Sequence, residues 1–451
     1  MYLAYSLLLT FGLLILLPYF LFQALSHGKY LSGLRQRLGL LNQIKRSGRP
    51  VVWLHCVSVG ETQAARPLVD RLRKEYPQWD LVISTITNTG QTLAKTVFGS
   101  ESQAVFYFPF DWRWCVRRAL KQIQPQVVLI METELWPNFL RECNAQNIPV
   151  ALINGRISRQ SFRRYRLVRF FLEPVLSQLD RAVMQSSNDA ERIVALGLPK
   201  DKLYTSGNIK FDADVVSGND ALTQSLNERF NFEPETPLIL AASTHEPEEK
   251  IVIESFRSLR TTNRARLMIA PRHPQRFQEV ARLIEGSGLT WSRRTDEARV
   301  DDSRVDVVLL DTIGELPAVY SLAKIVFVGG SIIDRGGHNV LEPAAAGTCV
   351  VTGSYTHNFQ AIVELLNEDQ AIVQLPPVDT QSAADCLAHE LIELLRNPER
   401  CEALGAKARD IVQKNKGAAD RTIQIIKPLF TECVTNLPAT DAVLAIHSSG
   451  S

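Results

Sequence analysis

Short apolar runs recur along most of the chain, and many are followed by stretches whose apolar positions fall three and four apart. The runs 51–56 (VVWLHC), 81–86 (LVISTI), 104–108 (AVFYF), 127–131 (VVLIM), 150–153 (VALI) and 181–185 (RAVMQ) lack the polar alternation of a half-exposed strand. Unbroken runs of this length predict strands buried on both faces of a parallel sheet. The amphipathic stretches 62–75 and 112–123 predict helices between them, and strands alternating with helices predict a doubly wound α/β domain. A polar stretch with Gly, Asn and Pro at 217–236 predicts a linker. The pattern then restarts with 237–243 (PLILAAS), 265–271 (ARLMIAP), 306–311 (DVVLLD), 324–330 (KIVFVGG), 348–353 (TCVVTG) and 371–375 (AIVQL). The expectation is two Rossmann-like domains, 29–216 and 237–435, facing a ligand cleft, with a frayed tail over 436–451.

The first 28 residues stand outside this pattern: they contain no Asp, Glu, Lys or Arg, and 3–25 are mostly Leu, Phe, Tyr, Ile and Ala. As a helix the run is long enough to cross a hydrocarbon core. A secretory signal fits poorly, because the basic n-region and a small-residue cleavage site are missing. Lys29, Arg35, Arg37, Lys45, Arg46 and Arg49 come next, and no acid precedes Glu61. A positive flank predicts that the downstream domains stay cytoplasmic, so residues 1–28 are expected to be a membrane anchor. Pro18 leaves open a kinked helix lying in one leaflet.

Composition narrows the rest. Lys plus Arg is 50 against 48 for Asp plus Glu over 451 residues, which excludes nucleic-acid binding on bulk charge. Seven cysteines without a C-x-x-C pair exclude a disulfide scaffold and a zinc-finger framework. Cys56, Cys115, Cys143 and Cys349 sit in or beside apolar runs and read as buried, reduced thiols.

In open α/β sheets, ligands lie beyond the carboxyl ends of strands, and the unusual polar residues cluster there. HCVSVGET (55–62) follows the first strand and places Glu61 where a helix begins. A carboxylate there either takes a proton from a hydroxyl nucleophile or complements the helix dipole. METELWPN (131–138) sets Glu132 and Glu134 at another strand end, suited to a polyhydroxylated substrate or to the first turn of a helix. Arg156, Arg159, Arg163 and Arg164 lie in an acid-free segment that suits lipid phosphates or a solvated basic face. SGNIKFD (206–212) supplies Lys210, and Asp212 to Asp214 form a D-x-D triplet that is too common to carry a metal site. In the second domain, APRHP (270–274) and DTIGEL (311–316) end strands, and VGGSIIDRGGHNVLEPAAAG (328–347) is a strand, a glycine-rich loop and a helix. That loop predicts phosphate approach to free N–H groups; Asn339 and Glu342 also fit a cap with a reciprocating acid.

In order along the chain, SVGE (58–61), METELWPN (131–138), NGRIS (154–158), GNIKFD (207–212), STHEPEE (243–249), PRHPQRF (271–277), DTIGEL (311–316) and GGHNVLEPAA (336–345) resemble the 3-deoxy-D-manno-octulosonic acid (Kdo) transferases of lipid A assembly. The resemblance implies a GT-B fold and a metal-independent, cofactor-free, inverting transfer of Kdo from CMP-Kdo to a lipid A precursor at the cytoplasmic face of the inner membrane. It makes Glu61 the general base and Glu132 and Lys210 stabilisers of the transition state. It makes Pro271, Arg272, Ile313, Gly314, Glu315, Asn339, Val340, Leu341 and Glu342 the CMP-binding segments. Pro247 and Val340 stand where the family often has Gly and Pro. The number of Kdo units transferred and the oligomeric state are not implied.

Overall fold

The computed structural model describes residues 2–27, 33–41, 47–212, 220–233 and 235–435. The chain forms two units, residues 1–213 with 416–451, and residues 214–415. Each is built on a seven-stranded sheet.

The first sheet comprises β1 (Val51–His55), β2 (Asp80–Thr85), β3 (Ala104–Tyr107), β4 (Val127–Met131), β5 (Val150–Gly155), β6 (Arg181–Met184) and β7 (Leu203–Thr205). Their order is β3-β2-β1-β4-β5-β6-β7, parallel throughout. Period-two alternation sends neighbouring residues to opposite faces, and here both faces are core. Trp53, Val128 and Ile130 belong to one apolar cluster, while Leu54, Val127 and Leu129 belong to another. Both faces being covered is why the runs read as unbroken.

The second sheet comprises β8 (Leu238–Thr244), β9 (Arg266–Pro271), β10 (Trp291–Arg293), β11 (Val307–Leu309), β12 (Ala323–Val328), β13 (Cys349–Thr352) and β14 (Val373–Gln374). Their order is β10-β11-β9-β8-β12-β13-β14, again parallel. Each of the twelve expected runs supplies a strand, and β7 and β10 are additional. Each sheet reverses direction once, beside β1 in the first and beside β8 in the second. Such switch points open crevices for ligands.

Three expectations change. The stretch 217–236 contains a helix, Asp220–Phe230, anchored by buried Leu226 and Phe230; residues 217–219 and 234 lie outside the described residues, as do Lys29, Lys45, Arg46, Asp214 and the tail 436–451. The expected second domain, 237–435, ends at Asn415. The helix Ala418–Thr435 belongs instead to the first unit. Its Phe430 ring stacks on Tyr76 at 4.3 Å and meets Trp79 at 4.7 Å. The Asp212 carboxylate accepts the N–H groups of Gly417 and Ala419 at 2.5 Å each, so Asp212 caps that helix.

The third change concerns the N-terminus. Residues Tyr2–His27 form a helix, but among the described residues no helix is long and apolar enough to cross a membrane. A spanning anchor over 1–28 is therefore not supported. The helix carries a polar and aromatic stripe committed to protein. The Tyr5 hydroxyl bonds the Asp111 carboxylate, Ser6 Oγ accepts from Asn138 at 3.1 Å, and Thr10 Oγ1 accepts from the Trp112 indole at 3.1 Å. Leu3, Leu7, Leu8, Phe11, Leu14 and Ile15 point outward, each at least 60% exposed.

Candidate active site

At the switch point of the first sheet, β1 leads into the helix Val59–Ala64 and β4 into the helix Pro137–Ala145. Ser58 caps the former, its Oγ accepting from the Glu61 N–H at 3.4 Å. The Glu61 carboxylate answers by accepting from the Val57 N–H at 2.8 Å and the Ser58 hydroxyl at 3.2 Å. The capping role thus falls on the side chain that the resemblance makes the general base. Pro137 opens the second helix, and the buried Asp111 carboxylate accepts the N–H groups of Asn138 and Phe139 at 3.0 and 2.8 Å. WPN is therefore a helix start, and it leaves Glu132 and Glu134 before the helix.

Glu61, Glu132, Thr133, Glu134, Arg156, Ser158, Ser161 and Tyr165 line one pocket of about 210 Å³. Glu132 holds a left-handed backbone, φ 54°, a conformation costly outside glycine and concentrated at functional sites. Lys210 Nζ lies 3.6 Å from Glu132 Oε1. The 3-10 turn Ile209–Asp212 carrying Lys210 is held by buried Asn154, whose Oδ1 accepts the Ile209 N–H at 3.0 Å. Burial, then the charge of Glu132, pushes the Glu61 carboxyl up to about 8, against the pull of its hydrogen bonds from Val57 and Ser58. A carboxyl so poised titrates near neutral pH, where a general base works best. His55, on the adjoining strand, is a core residue: fully buried, stacked on Phe108 at 3.9 Å, and pushed down to about 3 by burial.

The four arginines expected at lipid phosphates fall in the pocket and on a helix that also lends Ser161 and Tyr165 to it. Arg156 lines the pocket, whereas Arg159, Arg163 and Arg164 lie exposed on the helix Arg159–Leu167.

In the second unit, the expected nucleotide segments fall at the carboxyl ends of strands β9, β11 and β12, close to the switch point at β8. Pro271 ends β9, and Arg272 is exposed beyond it. Ile313 is 64% exposed, Gly314 takes φ 88°, and Glu315 pairs with Arg294 at 2.9 Å. Asn339 Nδ2 donates to Glu342 Oε1 at 2.9 Å and its Oδ1 accepts the Leu341 N–H at 3.0 Å. Val340 and Leu341 are buried. Asn339 and Glu342 therefore hold each other side chain to side chain before a six-residue helix, Leu341–Ala346, whose N-cap is Val340, so the expected cap at Asn339 with a reciprocating acid does not form.

Glu248, in the motif STHEPEE (243–249), organises these loops, a role that the motif does not by itself signal. Its buried carboxylate accepts four backbone N–H groups: His245 at 3.1 Å, Gly330 at 2.7 Å, Ser331 at 2.9 Å and Ile332 at 3.0 Å. Gly329 permits the close approach, since a Cβ there would lie 2.7 Å from Ser243 O and 2.8 Å from Glu248 Oε2. Among the described residues no group of three or more His, Cys, Asp or Glu is placed to hold a metal ion.

Twin parallel sheets of this order make the fold GT-B-like. UDP-GlcNAc 2-epimerase from Neisseria meningitidis shares the fold, with TM-score 0.54, 13% identity, and 84% of this chain and 100% of that one covered. So does a glycosyltransferase from Rickettsia africae, with TM-score 0.53, 12% identity, and 85% and 99% covered. The family model for 3-deoxy-D-manno-octulosonic-acid transferase (kdotransferase) matches residues 32–213. The 3-deoxy-D-manno-octulosonic acid transferase of Haemophilus influenzae is 34% identical over 402 residues, 89% of this chain and 92% of that protein. The one of Bordetella pertussis is 33% identical over 388 residues, 83% and 86%. The chain belongs to the Kdo transferase family.

Proposed function

We propose that this protein transfers Kdo from CMP-Kdo to a hydroxyl of a lipid A precursor in lipopolysaccharide synthesis, with inversion. The observation that carries the mechanism is Glu61, a buried carboxylate lining an acidic pocket beside the Glu132–Lys210 pair. The acceptor oxygen forms a bond to the anomeric carbon of Kdo, and its proton passes to the Glu61 carboxylate. The bond from that carbon to the phosphate oxygen breaks, and the electron pair leaves with CMP. Arg272 meets the phosphate, where a guanidinium offers permanent charge and several donors. Lys210 and Glu132 balance the charge that shifts as the bonds change. The remaining nucleotide segments hold CMP. The decisive experiment incubates the full chain with CMP-Kdo and a defined lipid acceptor and weighs the lipid. A gain of Kdo mass supports the proposal, and an unchanged lipid refutes it.

The base must be ionised to act. Activity below the Glu61 titration therefore falls, and kcat/KM rises with pH through a limb near 8. Glu132→Gln removes the like charge that holds Glu61 up, so the limb moves to lower pH whatever the rate at its plateau. A pH profile of both proteins checks this; an unmoved limb refutes the coupling.

We further propose that the protein works at the cytoplasmic face of the inner membrane, with the helix Tyr2–His27 lying in one leaflet. The support is its outward row Leu3, Leu7, Leu8, Phe11, Leu14 and Ile15. A contiguous exposed apolar surface of this kind marks a membrane or protein contact. Leu167 and Phe170, each at least 80% exposed, sit among Arg163, Arg164, Arg166 and Arg169, a pattern suited to acyl chains beneath lipid phosphates. Replacing Leu7, Leu8 and Phe11 together by Asp is expected to abolish co-sedimentation with phosphatidylglycerol vesicles while transfer to an acceptor lacking acyl chains persists. Undiminished sedimentation would count against the helix.

A further inference from the structure

Three histidines stand at the carboxyl ends of three neighbouring strands of the second sheet: His245 after β8, His273 after β9 and His338 in the loop after β12. The rings of His245 and His338 lie 7° from parallel with centroids 5.0 Å apart, meeting edge to edge with their Nε2 atoms 2.7 Å apart. The His273 ring stands edge-on to His245 at 5.1 Å. Glu248 builds this arrangement by holding the His245 N–H and the loop 330–332 at once. Gly330, at φ 67°, leaves room for His338, because a Cβ there would sit 3.0 Å from its Cδ2.

The nearby carboxylates are already engaged. Glu248 is committed to backbone N–H groups. Arg276 is taken by Glu246, Glu249 and Glu279. Arg272 and Arg335 are exposed, and neither pairs with a carboxylate among the described residues. Burial, then the positive fields of His273, Arg335, Arg272 and Arg276, push His245 down to about 4. Burial, then His245, Arg272 and His273, push His338 to about 4.

Two neutral imidazoles joined through Nε2 share one hydrogen between them, so only the accepting ring carries a hydrogen on Nδ1. Uptake of one proton gives both rings an Nδ1–H donor and makes the pair a cation. That charge is the complement of a carboxylate's; the two Nδ1–H groups lie at the outer ends of the joined rings, so a carboxylate takes one of them. Without an anion the pair stays neutral; an anion supplies the field that draws the proton in.

We propose that the His245–His338 pair, flanked by His273, binds the carboxylate of the donor's sugar and so selects an acidic sugar over a neutral one. The inference rests on the reading of the donor as CMP-Kdo, which carries two anions, a phosphodiester and a carboxylate. The phosphodiester is charged at every working pH and suits the permanent charge of Arg272. The carboxylate departs with the product while CMP remains, and a pair that is charged only when occupied suits the anion that must leave.

The test measures KM for CMP-Kdo and the inhibition constant of CMP in one assay with the full chain. His245→Gln and His338→Gln keep a hydrogen-bonding side chain but cannot take up a proton. Each is expected to raise the KM for CMP-Kdo roughly tenfold or more, the scale of a charge-assisted hydrogen bond, with CMP inhibition unchanged. His273→Gln, at an exposed ring that leaves the core untouched, is expected to raise KM less while CMP inhibition again holds. A parallel rise in the CMP inhibition constant would assign the histidines to the nucleotide and overturn the proposal, as would an unmoved KM. Failure of the unsubstituted chain to use CMP-Kdo at all would instead overturn the donor reading on which the proposal stands.

Discussion

Glu61→Gln lowers sugar transfer by roughly 100- to 10,000-fold, the range for loss of an effective general base, and the protein stays folded. The amide oxygen still accepts from one of the two donors that Glu61 serves, the Val57 N–H or the Ser58 hydroxyl. Stability moves in the opposite direction from activity. The folded protein raises the Glu61 carboxyl to about 8, above its value in the unfolded chain. The native state therefore binds that proton more tightly, and the contribution to stability is complete below the ordinary carboxylate range and lost as pH rises through 8. Gln has no such loss, so the variant melts at or above the parent at pH 8 and beyond. Product mass spectrometry beside a thermal melt checks both halves. Near-normal turnover removes Glu61 from the mechanism, and a marked fall in melting temperature makes any lost activity structural.

Glu248→Ala costs on the order of 4 kcal/mol, because up to four backbone N–H groups lose their acceptor in a buried place. Burial pushes this carboxyl up against the combined pull of those four donors, so what is lost is hydrogen bonding. For a unit of this size that is a fall of on the order of 10 °C in melting temperature, readable by calorimetry. Activity falls with it, since His245 and the loop that carries His338 are held by the same carboxylate. Glu248→Gln keeps the shape and one acceptor oxygen and is expected to lose less. An unchanged melt for the alanine variant would mean that the loop finds other acceptors.

The central strands were legible because burial on both faces writes itself as an unbroken apolar run, as at 51–56 and 127–131. Strands β7 and β10 were not, since three residues at a sheet edge, LYT and WSR, carry no period. The helix Ala418–Thr435 shows its apolar stripe plainly, but a stripe does not say which core it will cover, and Phe430 covers the far one in sequence. Glu61, Glu132 and Lys210 could be singled out from strand-end positions and motif order, although the pocket that Glu61 and Glu132 line, with Lys210 beside Glu132, required the parallel order β1-β4-β5-β6-β7. Glu248 stayed hidden because its partners are backbone groups, which have no letters of their own. All three histidines lie in the motifs quoted above, but their meeting was not legible: they are 28 and 65 residues apart in sequence and come together only because β9 and β12 flank β8.

The chain that begins the first unit also closes it, since the helix Ala418–Thr435 returns there after the whole of 214–415 has been made. During synthesis the second unit leaves the ribosome complete while the first still lacks its closing helix, with the apolar surface that Phe430 will cover open to water. A nascent chain in that state invites chaperones. Residues 214–415 are thus an insertion that can be excised as one piece, whereas a fragment stopped at 213 would need the closing helix supplied as a separate peptide.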